Sequence, residues 1–264
     1  MTRTVQFQTL PPFGGDQRQV AEVVRGIMDG KTNNTGKVTL ATGNATTTTI
    51  YDSRIGNESL IFFVPSSAAA RNDAAPYGMF QSDADQTAAS ANTAYAITYN
   101  ATDYSNGVYT SNNSRINVRN AGVYNLQFSA QLTNNDTSIH DVDIWLAKNG
   151  STVSGSNGQV SIPSSHGGVP GHILPAWNYI IELAAGDYVE LMWNTTSTQV
   201  FLDFIAAQSS PTRPSTASII VSMQYIAPIA SENIYVTSQQ QGQAIIEHWA
   251  NSTADKTYGY IVVG

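Results

Sequence analysis

The stretch Gly122-Val-Tyr-Asn-Leu-Gln-Phe-Ser-Ala-Gln-Leu132 decides the fold, because its side chains alternate between apolar and polar. The apolar set comprises Tyr124, Leu126, Phe128, Ala130 and Leu132. The positions between them are polar from Asn125 onward. Successive side chains of a β-strand point to opposite sides. The alternation therefore predicts a strand with one face in a core and the other in water, as many antiparallel strands have.

Shorter β-rich runs surround this strand on both sides. Asp141 to Lys148 alternates in the same way and ends at Asn149-Gly150, a pair typical of hairpin turns. Further runs lie at 38–40, 46–51, 60–64, 177–183, 187–193, 200–205, 219–225, 234–237, 244–249 and 258–263. Many short strands separated by Gly and Asn predict antiparallel β-sandwiches. No helix is expected beyond residue 30.

One helix is predicted near the N-terminus. Its apolar stripe follows the i, i+3, i+4, i+7 and i+8 spacing and consists of Val20, Val23, Val24, Ile27 and Met28. Asp16, with Gln19 three residues on, can cap the start of this helix, and Gly30 can end it. The helix is therefore expected over 16–29. Its stripe either packs on its own domain or attaches the chain to a partner or to sister chains.

Composition excludes several classes of protein. Of the 264 residues, 12% are charged, about half of the roughly 25% typical of globular proteins. The 12 basic and 19 acidic residues give a net charge of −7, which argues against a nucleic-acid partner. The absence of cysteine excludes disulfide frameworks, iron–sulfur clusters and thiolate zinc sites. No apolar run approaches the roughly 20 residues of a membrane span, so no membrane insertion is expected.

The middle of the chain carries a resemblance to a known family. Four segments occur in order, and they are Gly122 to Leu132, Val142 to Gly150, Ala176 to Tyr179 and Ala185 to Trp193. This series resembles the jelly-roll domains of phage virion proteins, which in turn resemble the complement and tumour-necrosis-factor jelly rolls. The resemblance covers roughly residues 80–228.

The two flanks carry a second resemblance. The N-terminal part consists of Gly30 to Gly36, Asp52 to Gly56 and Leu60 to Pro65, and the closing part of Ile245 to Asn251 and Asp255 to Tyr260. Together they are similar to a small β module of tailed-phage structural proteins, in which the two parts follow each other closely. Here they stand about 170 residues apart, and the sequence departs from the module at Trp249.

These resemblances imply that the jelly roll is inserted into one loop of the small module, with polar linkers at 66–77 and 206–217. The expected fold is mainly β, an antiparallel β-sandwich or jelly roll inserted into a smaller split β domain, with one N-terminal amphipathic helix. The expected domains are an attachment arm and helix (1–30), the split β domain (31–77 plus 229–264) and the jelly roll (78–228).

The family implies a non-enzymatic structural protein of the virion, either a head or tail fibre, an adhesin or a capsid decoration protein. Its jelly rolls typically form trimers. The implied partners are therefore two further copies of the chain, other capsid or tail proteins, and a host-surface glycan. Two alternatives stay open from the residues: a carbohydrate-binding, lectin-like module and, ranked last, a glycan depolymerase.

Candidate trimer-axis residues come from strands that are apolar on both faces, because an axis buries the face that solvent would otherwise cover. Phe201 and Ile205 alternate against apolar neighbours, and Ile220 interrupts an otherwise polar outer face. The alternative for all three is contact with the small module or with a loop.

A candidate carbohydrate patch combines Asp141, Asp143 and Trp145, which share one face of a predicted strand, with Trp177 from a neighbouring loop. Carboxylates accept hydroxyl protons, and aromatic rings stack on sugar rings. The alternative is a solvated or trimer-facing strand. Glycosidase chemistry needs two carboxylates across a cleft, and no such pair is evident. The sequence thus predicts no catalytic residue.

Four histidines are the remaining candidates for chemistry. His140, His166 and His172 fall in predicted loops, where they are either solvated or, across a trimer axis, ligands of a divalent metal. His248 shares a strand face with Ala244 and is expected to be a hydrogen-bonded core residue. No metal site and no cofactor are predicted.

Overall fold

The computed structural model describes residues 10–29, 33–71, 74–227 and 234–264. Within these ranges the chain forms two helices, α1 (Gln17–Met28) and α2 (Ala68–Arg71), and 24 strands. The strands are β1 (Thr35–Thr39), β2 (Ala45–Tyr51), β3 (Leu60–Pro65), β4 (Tyr77–Ser82), β5 (Gln86–Thr87), β6 (Tyr95–Ala96), β7 (Ala101–Asn106), β8 (Val108–Ser111), β9 (Arg115–Val118), β10 (Gly122–Ala130), β11 (Leu132–Asn134), β12 (His140–Lys148), β13 (Ser151–Thr152), β14 (Gly158–Ile162), β15 (Gly171–Ile173), β16 (Ala176–Leu183), β17 (Tyr188–Thr195), β18 (Val200–Leu202), β19 (Gln208–Ser209), β20 (Thr212–Arg213), β21 (Ile219–Ala227), β22 (Ile234–Gln240), β23 (Gln243–Asn251) and β24 (Thr257–Val263). The predicted mainly-β fold class is confirmed.

The larger body is a sandwich of antiparallel sheets. One sheet has the order β16-β10-β21-β4-β7, and β11 continues β10 into a four-stranded extension, β15-β11-β18-β5. The facing sheet has the order β13-β12-β17-β9-β8, with β14 also paired to β12 and β6 to β17. The chain changes sheet between β10 and β12 and again between β16 and β17. This alternation between two sheets is the jelly-roll arrangement.

The core of the larger body lies between these sheets. The apolar set predicted for β10 is buried along its whole length, since each of these side chains is at most 4% exposed. Trp193 and Ile144 of the facing sheet are fully buried against it. Burial of such side chains, at about 1.5 to 3 kcal/mol each, is the main stabilising contribution to the body.

The smaller body has its own core and is built from both ends of the chain. Its two three-stranded sheets have the orders β1-β24-β3 and β2-β23-β22. Each sheet therefore joins strands from residues 35–65 to strands from residues 234–263. Leu40, Ile50 and Ile246 belong to the cluster between them. The jelly roll leaves this body after β3 and returns to it at β22.

A cluster of polar groups joins β1, β24 and the turn after β2. Arg54 hydrogen-bonds the Asp52 carboxylate, and the Tyr260 hydroxyl donates to the same carboxylate at 2.8 Å. The bond from Arg54 holds the pKa of Asp52 well below its usual range. Burial and the bond to Asp52 raise the pKa of Tyr260 to about 12. The Tyr260 ring lies over Gly36, where an added Cβ would stand 2.3 Å from the ring, so this approach requires glycine.

The two bodies meet at Trp249, the position at which the sequence departs from the phage module. Its ring packs edge-on against Tyr225 of the jelly roll, with centroids 4.5 Å apart. Asn120 adds polar contacts to the same strand. Its Nδ2 donates to the His248 carbonyl at 3.1 Å, and its Oδ1 accepts from the Ala250 amide at 2.9 Å. The departure therefore coincides with the contact between the two domains.

The helices differ in part from the prediction. α1 begins with the expected capping box, in which the Asp16 side chain accepts from the Gln19 amide and the Gln19 side chain accepts from the Asp16 amide. Its C-cap is Asp29, and Gly30 lies outside the described residues. The expectation of no helix beyond residue 30 is wrong, because α2 forms a single helical turn there. α2 forms because Ser67 caps the amide of Ala70, whose side chain is buried in the small core.

Two predicted β segments also differ. The run 200–205 is a strand only as far as Leu202, because the next amides bond elsewhere: that of Asp203 to the Gln131 carbonyl and that of Phe204 to the Asp85 side chain. The segment 151–176, for which the sequence predicts no strand, contains β13, β14 and β15. Short strands pair there although the segment is rich in Ser and Gly.

The junction gives a direct stability prediction. Asn120→Ala removes both hydrogen bonds between the Asn120 side chain and the backbone of β23. The His248 carbonyl and the Ala250 amide then lose these partners. We expect a loss of about 1 to 3 kcal/mol in the free energy of unfolding, measured by denaturant titration. Asn135→Ala, at an exposed position after β11 and outside both candidate faces, is the matched control and should stay within about 0.5 kcal/mol of the unmodified protein. Equal losses in the two variants would show that Asn120 does not join the domains.

Candidate functional site

The outward face of β12 carries the first candidate site. Asp141, Asp143 and Trp145 are partly exposed and alternate with the buried residues that face the core. Asp141 accepts a hydrogen bond from Ser161 of β14. Oδ1 of Asp143 accepts two amide bonds, from Asn157 at 3.0 Å and from Gln159 at 3.2 Å. The cross-strand partners thus hold both carboxylates in fixed positions.

A depression of about 290 Å³ lies beside Trp145. It is lined by Asp143, Trp145, Thr152, Val153, Gly155, Asn157 and Asn194. The indole Nε1 of Trp145 is shielded from solvent and has no hydrogen-bond partner in the described part of the chain. An aromatic surface next to amide, hydroxyl and carboxylate groups offers both stacking and hydrogen bonds in either direction. These are the contacts that a sugar ring needs.

Trp177 does not belong to this patch, so that prediction is wrong. Its side chain points from β16 into the sandwich, where its ring centroid lies 5.4 Å from that of Phe128. It also covers Gly158, at which an added Cβ would stand 2.6 Å from the indole. Tyr179 and Ile181 follow on the same face of β16 and pack on the same core. This period of two in the sequence identifies Trp177 as a core residue.

Three residues that line the depression were missed in the sequence. Thr152 and Asn157 lie in the segment taken as loop, and Asn194 lies at the end of β17. The register explains how they meet, because Asp143 stands opposite Asn194 on one side and Gln159 on the other. No local signal in the sequence identifies Thr152 or Asn157, since their positions depend on which strands flank β12.

The depression does not meet the needs of a two-carboxylate glycosidase. Asp143 is the one carboxylate among its lining residues, and Asp141 lies on the same strand rather than across a cleft. Retaining and inverting enzymes both need a carboxyl group on each side of the scissile bond. The residues that line the depression thus lack the pair of carboxylates that glycoside hydrolysis of this kind uses.

The expectation that all three histidines lie in loops is wrong for His140 and His172, which belong to β12 and β15 and have separate partners. His166 lies between strands, where its backbone bridges to Val169. Nε2 of His140 pairs with Asp136 at 2.8 Å, in the sheet of β12. His172 lies in β15 of the other sheet, where its Nδ1 is 2.8 Å from the Thr133 hydroxyl. Thr133 also donates to Asp203 at 2.7 Å. In the described ranges no group of three or more His, Asp or Glu side chains is placed to hold a metal ion.

The His140–Asp136 pair is sensitive to acid. The hydrogen bond from His140 holds the pKa of Asp136 below its ordinary value. Because the pKa of Asp136 is lower in the folded state than in the unfolded state, the pair stabilises the fold at pH values above the unfolded pKa of about 3.9. This stabilisation is lost as the pH falls through the folded-state pKa. The pair thus fixes the turn before β12 at neutral pH.

His248 is a buried core residue, and its Nε2 lies 2.8 Å from the Thr48 hydroxyl.

The second candidate site is the outward face of the β16-β10-β21-β4-β7 sheet. We call it the neutral face. Three rows of cross-strand neighbours form it: Ile180, Asn125, Gln224, Tyr77 and Asn106; Asn178, Gln127, Ser222, Met79 and Tyr104; Ala176, Ser129, Ile220, Gln81 and Ala101. None of these side chains is charged. A hollow of about 590 Å³, lined in part by Tyr77, Met79 and Tyr104, opens on it.

The predicted trimer-axis residues lie on or next to this face. Ile220 is in the third row, between Ser129 and Gln81. Phe201 lies in the extension of the same sheet, opposite Thr133. Ile205 follows β18 and forms an isolated bridge with Thr216. All three side chains are partly exposed, so none is fully buried in the core of its own chain.

Comparison with known proteins identifies no relative. No known family matches the chain, and no curated protein matches it either. Neither of the two helices in the described ranges has the length and hydropathy to cross a membrane. Functional assignment therefore depends on the geometry of the two faces.

Proposed function

We propose that this protein is a non-enzymatic structural component of a phage virion, a trimeric fibre, adhesin or capsid decoration protein. In this proposal the split β domain and α1 lie at the attachment end, and the jelly roll assembles and meets the host surface. The two sequence resemblances support the virion role. The insertion of one sandwich into another, with each core separate, supports the same interpretation.

The observation that carries the assembly part of the proposal is the neutral face. Fifteen outward positions on five strands include no charge, while exposed Ile180 and Tyr104 stand among amides and small side chains. The cores of protein interfaces are depleted in charged residues and enriched in aromatic ones. The nearest carboxylates lie on the two edge strands: Asp103 of β7, which accepts a hydrogen bond from Gln81, and Glu182 of β16. Symmetric copies that pack on the centre of this face would leave both carboxylates at its rim.

The virion role is tested on particles. We expect an antibody against the region 78–228 to label purified virions at regularly repeated positions, seen by negative-stain electron microscopy. The matched control is an antibody against the same region after preadsorption on the purified protein. Unlabelled virions, in preparations where the protein is detected only in the soluble fraction of the lysate, would contradict the virion role.

The assembly is tested by Ile180→Glu. If the neutral face is buried between copies, each carboxylate costs about 3 kcal/mol or more there, because nothing neutralises it. We expect the unmodified protein to sediment as a trimer and the variant as a monomer at micromolar concentration. Ile139→Glu is the matched control, since Ile139 is 66% exposed, against 69% for Ile180, and lies in the turn before β12. A monomeric unmodified protein, or a trimeric Ile180→Glu variant, would reject the proposal.

Sugar binding is a second candidate function, favoured by the depression beside Trp145. The carboxylate of Asp143 and the amides of Asn157 and Asn194, beside the Trp145 ring, match the hydroxyl groups of a glycan. If the copies bind the same glycan together, the weak contacts of the subunits would combine into an avidity well above the affinity of one subunit. This function is compatible with an adhesin and also with a lectin-like module outside a virion.

Trp145→Ala tests the sugar site. We expect at least a tenfold loss of binding to bacterial surface polysaccharides on a glycan array, because stacking is lost in every copy. Tyr51→Ala is the matched control, as Tyr51 is an exposed aromatic side chain of the small domain. Equal binding by the two variants would exclude this depression as the glycan site. Release of new reducing ends by the unmodified protein would instead support the depolymerase alternative.

A further inference from the structure

The outward face of the β1-β24-β3 sheet is unusually apolar. Its exposed apolar side chains are Leu60, Phe62, Val64, Ile261 and Val263 of β3 and β24, and we call them, together with Gly259, the small-sheet face. Polar side chains of the edge strand β1, namely Thr35, Lys37 and Thr39, complete this side of the sheet. Cross-strand pairing makes them contiguous, since Phe62 stands opposite Ile261 and Leu60 opposite Val263. The solvent side of an antiparallel sheet is ordinarily polar. A contiguous apolar patch of this kind marks an interaction site.

A second apolar surface of the chain also has no partner. No residue of α1 is buried, and Val20, Val24, Ile27 and Met28 are exposed. The charged side chains of the helix lie on its other side, where Arg18 and Glu22 form an ion pair. The predicted attachment stripe is therefore present and uncovered. A lone helix of twelve residues gains most of its stability only when such a stripe is packed.

The two surfaces match in length, chemistry and shape. α1 is about 18 Å long, and strands of six or seven residues extend for about 20 Å. The apolar stripe of α1 and the apolar side chains of β3 and β24 include no charge. The one cation beside them, Lys37, lies on the edge strand β1 opposite Gly259, so a helix over β3 and β24 can leave its ammonium group in solvent. Gly259 has no side chain to keep the backbone of a helix at a distance. The nine exposed apolar side chains of the two surfaces offer several hundred square ångströms, a large part of the apolar area of a specific interface of roughly 1,600 Å².

We propose that α1 of one copy docks on the small-sheet face of a second copy, so that the copies exchange helices. Residues 29–34 connect α1 to β1, whose first residue, Thr35, stands opposite Ile261 at the rim of the face. In the single chain the helix nevertheless leaves the face uncovered. The face is therefore free for the helix of a neighbour. The exchange requires that copies associate, but it does not use the neutral face and does not depend on the virion role.

Cysteine cross-linking tests this exchange, because the chain contains no cysteine of its own. Val24→Cys and Phe62→Cys chains with tags of different size are produced together and oxidised mildly. We expect a disulfide-linked species that contains one chain of each kind, at a yield at least tenfold above that of two controls. The controls are Glu22→Cys, on the charged side of α1, paired with Phe62→Cys, and Val24→Cys paired with Tyr51→Cys, at an exposed position of the other small sheet.

Each other outcome overturns the proposal. Linked pairs of Val24→Cys chains in preference to mixed pairs would show that the helices pack on one another. A second sample contains the chain with both Val24→Cys and Phe62→Cys, diluted in an excess of unmodified protein. A disulfide that forms only within this chain would show that each helix covers its own sheet. No cross-link above the controls, in a sample that sediments as an oligomer, would show that copies associate without exchanging helices. In that last case the proposed assembly through the neutral face would stand.

Discussion

The structure depends on the pairing of the two ends of the chain within both sheets of the small domain. β24 lies between β1 and β3, and β23 lies between β2 and β22, so neither sheet is complete without residues from beyond the jelly roll. The entropic cost of closing a long loop grows only slowly with its length, and a folded insertion whose ends are close together lowers that cost further. The jelly roll can therefore be large, provided that its first and last strands leave from neighbouring points. β4 and β21 meet this condition because they pair with each other.

The contact at Trp249 turns this covalent connection into a defined junction. The expectation that 206–217 is a linker between the domains is wrong, because this segment lies between β18 and β21 within the jelly roll. Without the contact at Trp249, the covalent connections alone would leave the sandwiches free to move relative to each other. The edge-on packing with Tyr225 and the two bonds from Asn120 fix β23 against the jelly roll at three points. The departure of the sequence from the small module at Trp249 is thus explained by the contact of Trp249 with the inserted jelly roll.

The alternation of β10 and the capping box of α1 were predictable, because both are local patterns whose physical cause acts within a few residues. The same rule applied to β16 would have placed Trp177 in the core, since Tyr179 and Ile181 share its period. Other parts were not predictable from local signals. Thr152 and Asn157 approach Trp145 only because β13 and β14 pair with β12, and the one-turn α2 exists because Ala70 finds a place in a distant core.

The low charge content has a structural consequence that differs between the two sheets of the jelly roll. On the sheet of β10 the outward positions of three rows are neutral, and the nearest carboxylates, Asp103 and Glu182, lie on the two edge strands. The centre of this face can therefore be desolvated without stranding a charge. On the sheet of β12 the outward positions include Asp141 and Asp143, which would be costly to bury against another protein. The two faces of one sandwich are thereby suited to different tasks. Assembly through the first face leaves the depression beside Trp145 in solvent, so a trimer would present three copies of it without competition between packing and binding.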